Sequence, residues 1–164
     1  AAGIAAVYQH PTSYPHLTVA ENIFMGHEII KNRMIQWKAM NTEANKLLKQ
    51  LDADFDATAE MGTLSVAQQQ MVEIAKALSY HSKVLIMDEP TAAMDIRFEK
   101  EFYDLVFSYL KDKTILMISH RLASITACDR IFYMENGSIT EQGTHQELME
   151  KQGKYAKLFL AQLN

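Results

Sequence analysis

The chain has 164 residues, 48% hydrophobic and 22% charged, a length that suits one domain with or without a small subdomain and a composition that excludes disorder, collagen-like repeats and a coiled coil. Its 16 basic and 20 acidic residues give a formal charge of −4, which argues against a nucleic-acid partner held by phosphate contacts. The single cysteine, Cys128, excludes an internal disulfide and a cysteine-built metal site and fits a reducing cytoplasm, and no apolar run approaches the ~20 residues of a membrane span.

Gly3 to Tyr8 is a short apolar run and predicts a buried strand. It breaks at Gln9-His10-Pro11-Thr12, and the two prolines Pro11 and Pro15 mark a loop. Thr18 with Glu21 three residues on predicts a helix start with a capping box, and Gly26 ends that helix. A longer amphipathic helix runs from about Trp37 to Leu51, with Met40, Ala44, Leu47 and Leu48 on its apolar face. Asp52 to Gly62 is polar and predicts a loop. A second amphipathic helix starts near Ser65, with Met71, Ile74, Ala75 and Leu78 along one face.

Lys83 to Met87 is continuously apolar and ends in Asp88-Glu89-Pro90. Such a run predicts a central strand covered on both faces, as in parallel sheets. The next helix carries Phe98, Phe102, Leu105, Val106 and Tyr109 on one stripe, and Thr114 to Ile118 predicts another buried strand ending at Ser119-His120. Arg130 to Met134 and Ser138 to Glu141 predict a hairpin around Glu135-Asn136-Gly137. Thr144 to Leu163 predicts surface helices broken at Gly153. The alternation of strand and helix in the second half indicates an α/β sheet, and Leu17 to about Ser79 looks like a helical insertion.

Four features carry chemistry. In open α/β sheets ligands sit beyond the carboxyl ends of the strands, where Asp88 and Glu89 lie. An aspartate there can hold Mg²⁺ directly or through water, and the next carboxylate can accept a proton from an attacking water. Two acids before a proline can also simply open a turn. His120 ends the next strand and can touch a phosphate or orient a water, although lone histidines are usually structural. Ser65 opens a helix whose free N–H groups suit an anion, or is an ordinary cap. Gln9, just past the first strand, offers an uncharged amide and is uninformative alone.

In this order and spacing the sequence resembles the nucleotide-binding domain of an ABC (ATP-binding cassette) transporter. The residues that carry the resemblance are Gln9 (Q-loop), Leu64-Ser65-Val66-Ala67-Gln68 (signature), Val84 to Glu89 (Walker B and catalytic glutamate), Ala92-Ala93-Met94-Asp95 (D-loop) and His120 (H-switch). The resemblance implies a P-loop-NTPase-like α/β fold with a mostly parallel sheet. Its division would be a partial RecA-like ATPase core over 1–16 and 80–164, with a helical subdomain over 17–79. It implies ATP and Mg²⁺ as ligands, with Asp88 and Gln9 near the metal, Glu89 polarising the attacking water and His120 steadying the γ-phosphate. Ser65, Val66, Ala67 and Gln68 would contact nucleotide on the opposite protomer of a head-to-tail dimer, and Asp95 would communicate across it. The implied partners are a transmembrane domain and a second nucleotide-binding domain, with no nucleic acid. The implied place is the cytoplasmic, peripheral face of the membrane.

The sequence departs from the family in two ways. No Gly-x-x-x-x-Gly-Lys-Ser/Thr P-loop occurs: the lone Gly153-Lys154 pair has Leu148 in place of the first glycine and is followed by Tyr155. The adenine-stacking aromatic is missing too, so the chain is expected to correspond to the C-terminal two-thirds of a domain, to bind ATP weakly alone and to leave apolar sheet surface uncovered. The signature reads LSVAQ, so Ala67 adds a methyl that is mild at negative φ and damaging at positive φ. Ala92 lacks the D-loop's usual hydroxyl. Tyr8 to Glu28 and Gln69 to Leu78 resemble carbohydrate importers, whereas Ser119 to Leu158 resembles exporters. The alternatives are a non-catalytic interaction module docking a membrane partner and an unrelated α/β binding domain.

Overall fold

Residues 3–9, 13–91 and 96–163 are described by the computed structural model, which divides into two units, 1–118 and 119–164. The first unit opens with strand β1 (Ile4–Val7), helix α1 (Val19–Phe24), a small hairpin of β2 (Ile30–Lys31) and β3 (Met34–Ile35), and helix α2 (Trp37–Gln50). A 3₁₀ turn (Met61–Thr63) leads to helix α3 (Val66–Ser79), strand β4 (Val84–Asp88), helix α4 (Ile96–Tyr109) and strand β5 (Thr114–Ile118).

Its sheet has the order β1-β4-β5, and both pairings are parallel. The expected central strand is β4. Leu85 and Met87 point into the core at 0% exposure, together with Val7 of β1. Across the core lie Val19 and Ile23 of α1, Met40, Ala44 and Leu48 of α2, Ile74 and Ala75 of α3, and Phe102 and Val106 of α4. Each fully buried aliphatic side chain contributes about 1.5–3 kcal/mol by leaving water. Parallel strands with helical crossovers need long connections, and the helical segment between β1 and β4 supplies one.

Two expectations are corrected. Gly3 to Tyr8 and Thr114 to Ile118 are strands, but they are not buried on both faces: Ile4, Tyr8, Leu116 and Ile118 are 50–59% exposed, and in β4 Val84 and Ile86 are only half-buried. The alternation along β5, exposed and half-buried in turn, is that of a strand with one covered face. The β2–β3 hairpin was also unexpected. It turns on Asn32 (φ 53°) and Arg33 (φ 61°), the two positive dihedrals of a type I′ turn, without the glycine that usually signals one.

The local starts and stops match their sequence signals. At α1, Glu21 N–H donates to the Thr18 hydroxyl oxygen, and Thr18 N–H donates to the Glu21 carboxylate at 2.7 Å, which satisfies two helix-end donors reciprocally. Buried Asn22 ties down the preceding loop: its Oδ1 accepts from Tyr14 N–H at 2.7 Å and its Nδ2 donates to Tyr14 O and Thr18 O. At the far end of α1, His27 Nε2 lies 2.7 Å from the Ser79 hydroxyl and its ring lies against Tyr80, which joins α1 to the end of α3. Burial holds the His27 imidazole below the ordinary histidine pKa.

The second unit holds strands β6 (Ile131–Glu135) and β7 (Ser138–Gly143) and helices α5 (His145–Glu150) and α6 (Lys154–Leu163). The hairpin turns on Asn136 (φ 50°) and Gly137 (φ 76°), again type I′. Thr144 and Glu147 form the capping box of α5. Leu122, Ile131, Leu148 and Tyr155 make the core of this unit, and His145 Nδ1 lies 2.9 Å from the Tyr155 hydroxyl.

Two outcomes check this account. Leu85→Ala is expected to cost about 2–5 kcal/mol in urea unfolding and Leu116→Ala only about 1 kcal/mol or less, although both are strand leucines. His27 binds a proton less readily folded than unfolded, so its stabilising effect is present above roughly pH 6.5 and fades as pH falls through the lower folded pKa. His27→Gln is expected to flatten that part of a stability–pH profile.

Candidate functional site

The parallel register decides which residues share an edge. Val7 pairs with Met87, and Asp88 pairs with Ile118. Tyr8 and Gln9 therefore leave β1 at the same edge of the sheet where β4 delivers Asp88 and Glu89. The structure brings together two of the elements predicted to carry chemistry, with Asp88 and Glu89 half-buried and Gln9 exposed.

Glu89 has a left-handed backbone, φ 44°, uncommon for a residue other than glycine, asparagine or aspartate. Its N–H donates to Ile118 O at 2.9 Å, which extends the β4–β5 ladder by one bond. Pro90 and Thr91 then turn inward and are buried. The Thr91 hydroxyl donates to Glu99 Oε1 at 2.8 Å, and the Tyr103 hydroxyl lies 3.1 Å from the same Thr91 oxygen. A threonine hydroxyl has one proton, and that proton goes to Glu99, so Tyr103 is the donor to Thr91. Glu99 is 5% exposed. The sequence reading missed this cluster, though a signal existed. Glu99 shares the stripe of Phe102, Tyr103 and Val106 on α4, and a carboxylate on a buried stripe needs partners.

The signature segment caps α3. Gln68 N–H donates to the Ser65 hydroxyl oxygen at 3.3 Å, and Ser65 N–H donates to Gln68 Oε1 at 2.9 Å. Gln68 Nε2 in turn donates to Asp54 Oδ1 at 2.9 Å. Ser65 and Val66 are exposed. Ala67 is the second residue of α3, so its backbone is helical and the added methyl is the mild case. Farther along α3, Glu73, Lys76 and Tyr80 line a groove with Tyr8 of the β1 end. Ser65 is eight residues before Glu73, about 12 Å along the helix axis, so the signature lies at the other end of α3 from this groove.

His120 belongs to the second unit and is exposed. Gln162 of α6 holds the backbone on either side of it, donating to His120 O at 2.7 Å and accepting from Leu122 N–H at 3.0 Å. The Ser119 hydroxyl oxygen accepts from Arg121 N–H at 3.0 Å. No sequence signal ties Gln162 to His120 across 42 positions. Ala92, Ala93, Met94 and Asp95 lie outside the described residues.

The donor chemistry at the edge is oxygen-rich: the Asp88 and Glu89 carboxylates and the Gln9 amide are hard ligands of the kind Mg²⁺ takes. Among the described residues no group of three or more His, Cys, Asp or Glu is arranged to hold a metal alone. Hard oxygen donors of this kind suit an Mg²⁺ ion that keeps phosphate oxygens and water among its ligands. No helix among the described residues is long and apolar enough to cross a membrane.

A family model described as ABC transporter matches residues 1–92. The chain is 39% identical over 150 residues to a ribose import ATP-binding protein of Escherichia coli O157:H7, covering 90% of this chain and 29% of that protein. It is 44% identical over 140 residues to a ribose import ATP-binding protein of Chromobacterium violaceum, covering 84% of this chain and 28% of that protein. A solved bacterial Atm1-family ABC exporter with ATP bound superposes with a TM-score of 0.80 at 27% identity, covering 99% of this chain and 29% of that one. The chain thus spans less than a third of the length of the relatives it matches.

The reciprocal cap makes a direct prediction. Ser65→Ala removes the acceptor for Gln68 N–H and is expected to lower stability by about 1 kcal/mol, whereas Ser65→Asp keeps an acceptor and stays near the parent. Thermal unfolding followed by far-UV circular dichroism reads the difference.

Proposed function

The chain belongs to the ABC transporter family, as ATP-binding-domain sequence with an α/β fold, and we propose that it supplies the Walker B and signature parts of an ATPase that drives transport across a membrane. The observation that carries this reading is the sheet edge where Asp88 and Glu89 follow an apolar parallel strand beside Gln9. Members of this family bind ATP. The finer roles follow from chemistry at that edge.

In this reading Asp88 and Gln9 present oxygens toward Mg²⁺ carried by the nucleotide, and the bound ion supplies charge neutralisation at the phosphate oxygens. Glu89 accepts a proton from the water that attacks the γ-phosphorus. The bond to the bridging oxygen breaks and leaves ADP and phosphate. His120 hydrogen-bonds a γ-phosphate oxygen, on a backbone held by Gln162. Ser65 and the free N–H groups of α3 face nucleotide held by a second nucleotide-binding domain in a head-to-tail dimer, and Asp95 relays across it. The partner in the membrane is a transmembrane domain, and the site of action is the cytoplasmic face of the membrane.

Two finer points belong to the same reading. The division into a core over 1–16 and 80–164 and a helical subdomain over 17–79 would let the helical part transmit motion to the membrane partner. The identity of 39–44% to ribose import proteins favours sugar import over export. The helical backbone at Ala67 makes its methyl the mild case, so Ala67 by itself does not favour the non-catalytic alternative.

Glu89→Gln is isosteric and cannot serve as a base. In the complete gene product it is expected to lower kcat by about 10²–10⁴-fold and to leave Mg-ATP affinity within about threefold. An unchanged kcat would overturn the role of Glu89. The 164 residues alone contain no P-loop lysine or phosphate-cradling glycines, so calorimetry of this chain with Mg-ATP is expected to show at most weak binding. Stoichiometric micromolar binding would contradict that expectation.

A further inference from the structure

We propose that Thr91 is a positioning residue for Glu89: clamped by Glu99 and Tyr103 of α4, it fixes the chain just after the carboxylate and holds Glu89 in its left-handed backbone. The proposal rests on the reading of Glu89 as the group that meets the attacking water.

Glu89 is restrained on both sides. On the strand side, Asp88 is in register with Ile118, and Glu89 N–H donates to Ile118 O at 2.9 Å. The chain must reverse within the next residues. Pro90 disfavours the right-handed helical region for the residue before it, because its Cδ crowds that residue's N–H and Cβ. Proline itself is locked near φ −65° and offers no N–H to bond. Glu89 nevertheless sits at φ 44°, outside the extended region that a following proline favours. Such a backbone persists in a non-glycine residue only where its surroundings over-determine it.

The missing restraint is on the far side, and Thr91 supplies it. It is 2% exposed, and its hydroxyl sits between Glu99 Oε1 at 2.8 Å and the Tyr103 hydroxyl at 3.1 Å. The chain Tyr103 to Thr91 to Glu99 ends on a carboxylate, and hydrogen bonds to charged acceptors are the stronger kind. Glu99 and Tyr103 are one turn apart on α4, so a single helix holds both ends of the clamp. The direction in which Glu89 projects from the sheet edge is therefore set by α4 through Thr91, and not by β4 alone. A general base works only within hydrogen-bond reach of its proton, so a small rotation at residue 89 would remove it from the reaction.

A stability cycle in the complete gene product tests the clamp without reference to ATP. Glu89→Gly relieves the left-handed backbone. It is expected to raise the urea midpoint in the parent and to lose most of that gain beside Thr91→Val, which removes the hydroxyl and keeps the shape. The glycine's effect on the unfolded chain is common to both backgrounds and cancels in the comparison. Tyr103→Phe provides a milder arm should Thr91→Val fold poorly. Equal gains in the clamped and unclamped backgrounds would overturn the proposal. On ATP hydrolysis, Thr91→Val is expected to lower kcat by about tenfold or more with KM within about twofold, and Thr91→Ser to recover most of it. A rise in KM with no recovery by serine would count against positioning. If Glu89→Gln leaves kcat unchanged, the base assignment has failed, and the stability cycle still decides whether Thr91 holds residue 89.

Discussion

The parallel pairing of β4 between β1 and β5 is the constraint on which the site depends. Parallel strands send their carboxyl ends to one edge, so Gln9 and the Asp88-Glu89 pair meet there without either sequence segment specifying the other. The register, Val7 with Met87 and Asp88 with Ile118, is set by burial. Leu85, Met87 and Val7 face the helices, and a slip of one residue would turn all of them outward. The apolar contacts of α1, α2 and α3 therefore do more than stabilise. They fix which residues stand at the edge.

Polar side chains then refine what the ladder places. Ser65 and Gln68 close the start of α3, and Asp54 holds Gln68 from the preceding loop. Asn22 closes the loop before α1 with both ends of its amide. Thr91 does the same after β4, and Gln162 after β5. In each case one side chain satisfies backbone or hydroxyl groups that the regular elements leave open, and buried polar groups left open are costly. The residues with proposed chemical roles stand beside these ties.

Much of this was legible in the sequence, and the physical reason is range. The strand ending in Asp88-Glu89-Pro90, the Thr18–Glu21 box and the Asn136-Gly137 hairpin depend on residues within a few positions of one another. The faces of the sheet were less legible. Apolar letters in Thr114 to Ile118 state that a strand forms, and they do not state which face is covered, so Leu116 and Ile118 came out exposed. The β2–β3 hairpin escaped because Asn32-Arg33 takes the turn without glycine. The left-handed Glu89 and its clamp escaped because they depend on where α4 lies after the turn. The family's motifs point to Ser65, Asp88, Glu89 and His120, but they are silent on Thr91, Glu99 and Gln162.

The pairing of β1 with β4 has a consequence for how the chain reaches this structure. Ile4 meets Val84, so strand β1 is joined to a partner made 80 positions later. At about 5–20 residues per second of synthesis, that partner follows by several seconds. Closing so long a loop is entropically slow, and folding rates fall as such distant contacts dominate. The helices between them contact one another locally, α1 with α2 and α3, and their early collapse would shorten the span that β1 must close. The helical segment would then act as a scaffold for assembly, bringing β1 back to β4.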